Sequence, residues 1–316
     1  MRCTRDLELS SPSRDRWVSA FTLIEVLVVV GIVALLVAIL TPSLAVARQQ
    51  ARAAVCANNI RQIGMGWHMY AQQSQDSAVA GRFPKIAGST NLYWVGNGWK
   101  YRARWYAMLG AQVRLYAFSK PSPDSALDNT QPVDGEMFLD PEAREYNNSR
   151  NYPYGYNFQF LGNSRKRFSG GATDWIHWPV KTGQIKAPAR TVMAADSLGT
   201  AASTPVEQRK PYDPTGAAAN TDPARILNHA WALDPPRLTV AGDFCDDNLR
   251  GQARSAPDER HRGKANVVFT DNHVERLGAR QLGYVVNPDG TVPLTGAGHN
   301  ALFSGTGRDA DPPSIQ

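Results

Sequence analysis

The sequence predicts an α+β fold: one long N-terminal helix, a membrane half continued by an amphipathic half, packed on an antiparallel β-sheet domain with long loops. Three observations carry this. An almost unbroken apolar run fills Phe21–Leu40, 20 residues that as a helix span about 30 Å and match a bilayer core. Apolar side chains then recur at spacings of three and four as far as Tyr70. From Ser74 onwards Gly, Pro, Asn and aromatic residues dominate, leaving short apolar runs that suit strands better than helices.

Residues 1–20 are polar, contain Ser10-Ser11-Pro12-Ser13, and set four arginines against Asp6, Glu8 and Asp15. This composition reads as a leader peptide. Residues 21–40 form the transmembrane segment, which continues well beyond the roughly 7–15 apolar residues of a secretory signal peptide. Glu25 stands five residues into that run. A charge near the centre of a span costs about 2.5–3.5 kcal/mol on insertion scales. A carboxylate retained at that depth is a functional candidate whose partner should be named. Cleavage between Ala20 and Phe21 would supply one: a cationic amine close to Glu25, or close to the Glu25 of a neighbouring copy.

Residues 41–75 continue the helix. Pro42 should bend it rather than end it, because helical patterning resumes at once. Val55 or Cys56, Ile60, Ile63, Trp67 and Tyr70 form the stripe expected against a globular domain, with Arg48, Arg52, Arg61 and Gln62 facing elsewhere. A single helix over 21–73 would be about 80 Å long. Residues 76–280 are expected to be β-rich, with Val113–Phe118, Thr191–Ala195 and Asn266–Thr270 as apolar runs and loops at Gly199–Pro223 and Pro235–Glu259. Residues 281–316 read as a turn followed by a frayed tail.

With 42% hydrophobic and 20% charged residues the chain is of ordinary globular composition. A net charge of +6, spread thinly over 316 residues, lacks the clustered basic footprint of a nucleic-acid binder. Loss of the leader would remove Cys3 and leave Cys56 and Cys245, either paired in an oxidising compartment or two buried thiols. No zinc-type Cys/His spacing, nucleophile elbow, HExxH or phosphate loop is present, so the sequence calls for neither a cofactor nor an enzyme activity.

Phe21-Thr22-Leu23-Ile24-Glu25 before the apolar run resembles the processing signal of type IV prepilins and type II secretion pseudopilins. The resemblance implies a type IV pilin-like fold. It further implies cleavage before Phe21 and methylation of its amine by a prepilin peptidase, with Glu25 guiding docking to other pilin-like subunits. Ala20 stands where the family usually has Gly. Arginines flank the apolar run on both sides, so charge bias leaves the topology undecided. The resemblance implies single-pass insertion in the inner membrane, N-terminus cytoplasmic and C-terminal domain extracytoplasmic. The reading that competes is an extracytoplasmic binding or enzymatic domain using 21–40 only as an anchor.

Residues 260–274, Arg-His-Arg-Gly-Lys-Ala-Asn-Val-Val-Phe-Thr-Asp-Asn-His-Val, resemble the C-terminal signature of planctomycete-type prepilin-like proteins: a His, nine residues, then Asp-Gly. His261 and Asp271 fit, and Asn272 replaces the Gly. Cys56–Gly64, Tyr154-Gly155-Tyr156-Asn157 and Gln184–Pro188 with Asp196 are similar to further segments of that family. Asp140-Pro141 stands where the family often has Cys-Pro.

Physically the signature reads as a hairpin with a type I′ turn at Asp271-Asn272, placing Phe269 opposite Val274. An extended strand puts roughly 20 Å between His261 and Asp271, too far to share one ion. His261 is expected to bond the loop entering the strand, and Asp271 to bond within its turn. Asp243, Asp246, Asp247 and Asn248 form an acidic loop, either solvated or a calcium ligand set lacking EF-hand spacing. Trp94, Trp99, Trp105, Trp175, Trp178 and Trp231 are expected mainly in packing, with an adhesive, glycan-binding surface as the other reading.

Overall fold

The computed structural model describes residues 22–143, 147–167, 175–211 and 222–315. The leader and the Ala20–Phe21 junction lie outside the described residues. The chain divides into two units, Met1–Arg48 and Gln49–Gln316. Helix α1 (Leu23–Gln73) begins in the first and ends in the second.

In the first unit every described residue is exposed. Leu, Ile and Val side chains cover the helix on all sides, with Leu23 at 90% and Ile39 at 64% exposure. An all-round apolar helix is stable only where something other than water surrounds it. This segment is long and apolar enough to cross a membrane. Pro42 lies within the helix and cannot donate to the carbonyl one turn back. On either side of it the Thr41 hydroxyl donates to the Val37 carbonyl (2.7 Å) and the Ser43 hydroxyl to the Leu40 carbonyl (2.8 Å). Such back-bonding keeps main-chain acceptors occupied in an apolar medium.

In the second unit the remainder of α1 is amphipathic. Cys56, Ile60, Ile63 and Trp67 are buried, whereas Val55 is 48% exposed, so the stripe runs through Cys56. The helix ends where Gln75 and Asp76 take positive φ (54° and 59°) and the Asp76 amide donates to the Ala71 carbonyl. There follow β1 (Leu92–Trp94), β2 (Trp99–Tyr101), α2 (Trp105–Gln112), β3 (Tyr154–Tyr156), α3 (Phe158–Leu161), β4 (Gly162–Lys166), β5 (Trp175–Pro179), β6 (Val192–Asp196), β7 (Ala265–Phe269) and β8 (Val274–Leu277). All pairs are antiparallel: hairpins β1-β2 and β4-β5, and a four-stranded sheet of order β3-β6-β7-β8. The chain is therefore α+β.

The alternation of β7 sorts the core into two layers. Val268 joins Ile60, Ile63, Trp67, Trp105, Tyr156 and Trp231 in one cluster. Val267 and Phe269 join Val192, Leu282, Tyr284 and Phe303 in the other. Burying side chains of this size stabilises by roughly 1.5–3 kcal/mol each. The close seat of α1 requires Gly66, where an added Cβ would stand 2.8 Å from the Leu109 carbonyl oxygen of α2.

Three expectations are corrected. Val113–Phe118 is no strand: Arg114 takes φ 55° and the Leu115 amide turns back to the Gly110 carbonyl, closing the end of α2. Helix α2 itself was not expected, because its sequence is apolar on nearly every side and shows no period. The tail is not frayed. Leu282, Phe303 and Ile315 are fully buried, and the Ile315 amide donates to the Ala241 carbonyl.

Candidate functional site

Two polar side chains stand out, Glu25 within the apolar run and His261, buried beside Asp140 and Asp196. At the start of α1 the Thr22 amide and hydroxyl both donate to Glu25 Oε2 (2.9 Å each), and the Glu25 amide donates back to Thr22 Oγ1 (3.3 Å). Thr22-Leu23-Ile24-Glu25 is thus a capping box, which occupies amides that the first helical turn leaves open. The four-residue spacing was legible in the sequence; the apolar run around it drew attention to the charge instead. Glu25 carries a local structural role whatever it meets beyond the chain.

The signature segment forms a different kind of site. The His261 amide donates to the Lys264 carbonyl (3.1 Å) across a turn in which Arg262 and Gly263 take φ 59° and 76°. The imidazole, 3% exposed with its residue, does not bond the loop entering β7 as expected. Its Nε2 faces Asp196 Oδ2 at 3.4 Å and Asp140 Oδ2 at 3.8 Å. Cys56 Sγ donates to Asp140 Oδ1 (2.8 Å), an oxygen that also accepts from the Glu142 amide (2.8 Å). Arg260 donates to Asp140 Oδ2 (2.9 Å) and to the Ser197 carbonyl (2.7 Å), and pairs with Asp258 (2.9 Å). Asp196, at the end of β6, accepts from the Asn266 amide of β7 (2.6 Å).

Burial sets the protonation of this cluster. It holds the His261 imidazole below its ordinary value, Asp140 pulling upward and Arg260 pushing down. It raises Asp196 well above the usual carboxylate range, against the opposing charge of Arg260 and with Asp140 adding to the rise. Burial and the adjacent Asp140 likewise push the Cys56 thiol up. Cys56, Asp140 and His261 offer a thiol, a carboxylate and an imidazole whose ligand atoms all lie within 4.8 Å of one another.

Asp271 and Asn272 lie apart from this cluster, on the hairpin. Phe269 accepts from the Asn272 amide and donates to the His273 carbonyl, enclosing a three-residue loop, Thr270-Asp271-Asn272. The expected type I′ turn is therefore corrected: only Asn272 is left-handed, with φ 72°. Asn tolerates that conformation better than most residues. Val268, not Phe269, pairs with Val274, and Phe269 stacks on His273 at 4.3 Å. Asp271 accepts from the His273 amide (3.2 Å) within the turn.

The acidic loop is solvated only in part: Asp247 and Asn248 are exposed, while Asp243 and Asp246 are buried and paired. Asp243 is met by Arg250 (3.0 Å), Arg165 (3.7 Å) and the Asn163 amide group (3.1 Å); Asp247 by Arg165 and Arg250; Asp246 by Arg150 (3.0 Å) and His229 (2.9 Å). Arg150 and Arg165, distant in sequence, and the neighbouring Arg250 pair with these carboxylates. Burial works against ionisation of Asp246, but His229 and Arg150 hold its carboxyl down to about 2. Burial, then Arg150, lowers His229 to about 3.

Cys56 and Cys245 are both buried free thiols. Trp105 and Trp231 are core residues, while Trp94 and Trp99 are about half exposed and pack edge to face across β1-β2 at 5.5 Å. Trp178 is partly buried and donates to the Gln159 carbonyl; the side chain of Trp175 lies outside the described residues. Comparison of the chain with family models, curated proteins and solved structures returns no match.

Proposed function

We propose that the chain is a structural pilin-like or pseudopilin-like subunit, not an enzyme, that is cut between Ala20 and Phe21 by a prepilin peptidase and methylated on Phe21. It enters the inner membrane once, N-terminus cytoplasmic, and assembles with other pilin-like subunits through its N-terminal helix into a type IV pilus or type II secretion-like filament. One observation carries the reading: Leu23–Leu40 is exposed and apolar on every side yet begins with Glu25. Lipid covers such a surface before assembly and neighbouring helices cover it afterwards. The new Phe21 amine of one subunit neutralises Glu25 of another, so assembly depends on the pair.

The Thr22–Glu25 capping box favours a second reading, in which Glu25 only caps a plain anchor for an extracytoplasmic domain. Glu25→Gln separates the two, because Gln retains the box and loses the charge. Under the filament reading this variant, like Glu25→Ala, leaves incorporation into filaments abolished while the protein still inserts. Under the anchor reading Glu25→Gln behaves as wild type. Intact-mass and N-terminal peptide analysis of the membrane-extracted protein tests the processing: a chain starting at N-methylated Phe21 supports it, and one retaining Met1–Ala20 sinks it.

A further inference from the structure

The His261 cluster gathers four separate stretches: Cys56 from α1, Asp140 from the turn before Pro141, Asp196 from the end of β6 and His261 from the turn before β7. Its hydrogen bonding is incomplete. His261 Nε2 and Asp196 Oδ1 are buried and have no hydrogen-bond partner. Other buried polar atoms of the described residues also lack a partner, but His261 Nε2 does so beside a thiol and a carboxylate, a combination that calls for a ligand.

The donor set decides what would complete the site. Sulfur, imidazole nitrogen and carboxylate oxygen together suit a borderline-soft divalent transition metal and not calcium or magnesium. Metal–ligand bonds of about 2.0–2.3 Å imply about 3.3–3.8 Å between neighbouring tetrahedral ligands. The separation of His261 Nε2 from Asp140 Oδ2, 3.8 Å, meets that requirement, and all three ligand atoms lie within 4.8 Å of one another. Cys56 Sγ and Asp140 Oδ1 stand closer, at 2.8 Å, because a thiol proton joins them.

We propose that Cys56, Asp140 and His261 bind one zinc-class divalent ion that ties α1 to the turn before β7, with a fourth position left to solvent or another donor. Binding displaces the Cys56 thiol proton to solvent and leaves the thiolate on the metal, so one proton is released per ion. His261 binds as the neutral imidazole through Nε2. Asp271 takes no part. The site is independent of how the N-terminal helix is used.

Cobalt(II) is the direct probe, added to the detergent-extracted full chain after treatment with chelator. One equivalent should produce a thiolate-to-cobalt charge-transfer band and the strong visible bands of tetrahedral cobalt, both erased by zinc. Cys56→Ser should remove the charge-transfer band while Cys3→Ser and Cys245→Ala retain it. His261→Gln should weaken binding by about tenfold or more. Wild-type protein with a native melting curve and no such band at stoichiometric cobalt would overturn the site. A band that survives Cys56→Ser overturns it equally, since another thiol would then be the ligand.

Discussion

Glu25 and His261 are both polar side chains that need partners, Glu25 within an apolar run and His261 inside the fold, and they find them on opposite scales. Glu25 takes its partners from Thr22, three residues away. The cluster at His261 joins Cys56 to Asp140 across 84 residues and Asp140 to Arg260 across 120. A local solution survives when the rest of the chain is altered, whereas a non-local one exists only in the finished fold. Sensitivity to mutation and to acid should therefore concentrate in the second unit.

Arg260→Met should show the largest effect. It strips the charge partner from Asp140 and Asp258 while leaving both at their buried positions. Removing one member of a buried pair costs about 3–5 kcal/mol, measurable by denaturant titration of the extracted protein. A loss below about 1 kcal/mol would mean that the cluster relaxes as easily as a surface pair, and the contrast with Glu25 would fail.

Acid should act next, through His229. Its folded value of about 3 lies below the ordinary value of about 6.5, so the folded state binds fewer protons in that window. Stability therefore falls as pH drops through 6.5 and stops falling on this account near 3, a loss of at most about 5 kcal/mol. Asp246, held near 2, adds a second loss between about pH 4 and 2 by the same sign. Melting curves across this range should show the slope, and His229→Asn should flatten it above pH 4. An unchanged slope would assign the acid sensitivity elsewhere.

Thr22→Val should have the smallest effect. It removes the hydroxyl from the capping box and should fray only the first turn of α1, leaving the melting of the second unit unmoved. Amide exchange over residues 23–26 should rise while exchange in β6 and β7 stays constant. Faster exchange in the sheet would show that the helix start and the sheet are coupled.

The same division of scale governs what was legible in the sequence. Long runs with one period were readable: the apolar segment, the stripe through Ile60, Ile63 and Trp67, and the strands around Val192 and Val267. Helix α2 was not, because burial on nearly all sides erases the period that would mark it. Nor was the packed tail, whose Leu282, Tyr284 and Phe303 are separated by turns and show no pattern until the sheet beneath them is formed. His261, Cys56, Asp140 and Asp196 could each be singled out as parts of separate segments, yet nothing in the linear order said that they meet. The neutralisation of Asp243, Asp246 and Asp247 was hidden likewise, since Arg150 and Arg165 lie some 80 to 100 residues before their partners.

The meeting of Cys56 with residues so far downstream also fixes an order of events during synthesis. The membrane-length segment and the stripe from Cys56 to Trp67 leave the ribosome early, but β7 and the tail that completes the second core come last. At about 5–20 residues per second the stripe waits roughly ten seconds or more for its sheet. During that interval Ile60, Ile63 and Trp67 are uncovered on a chain whose start is long and apolar enough to cross a membrane.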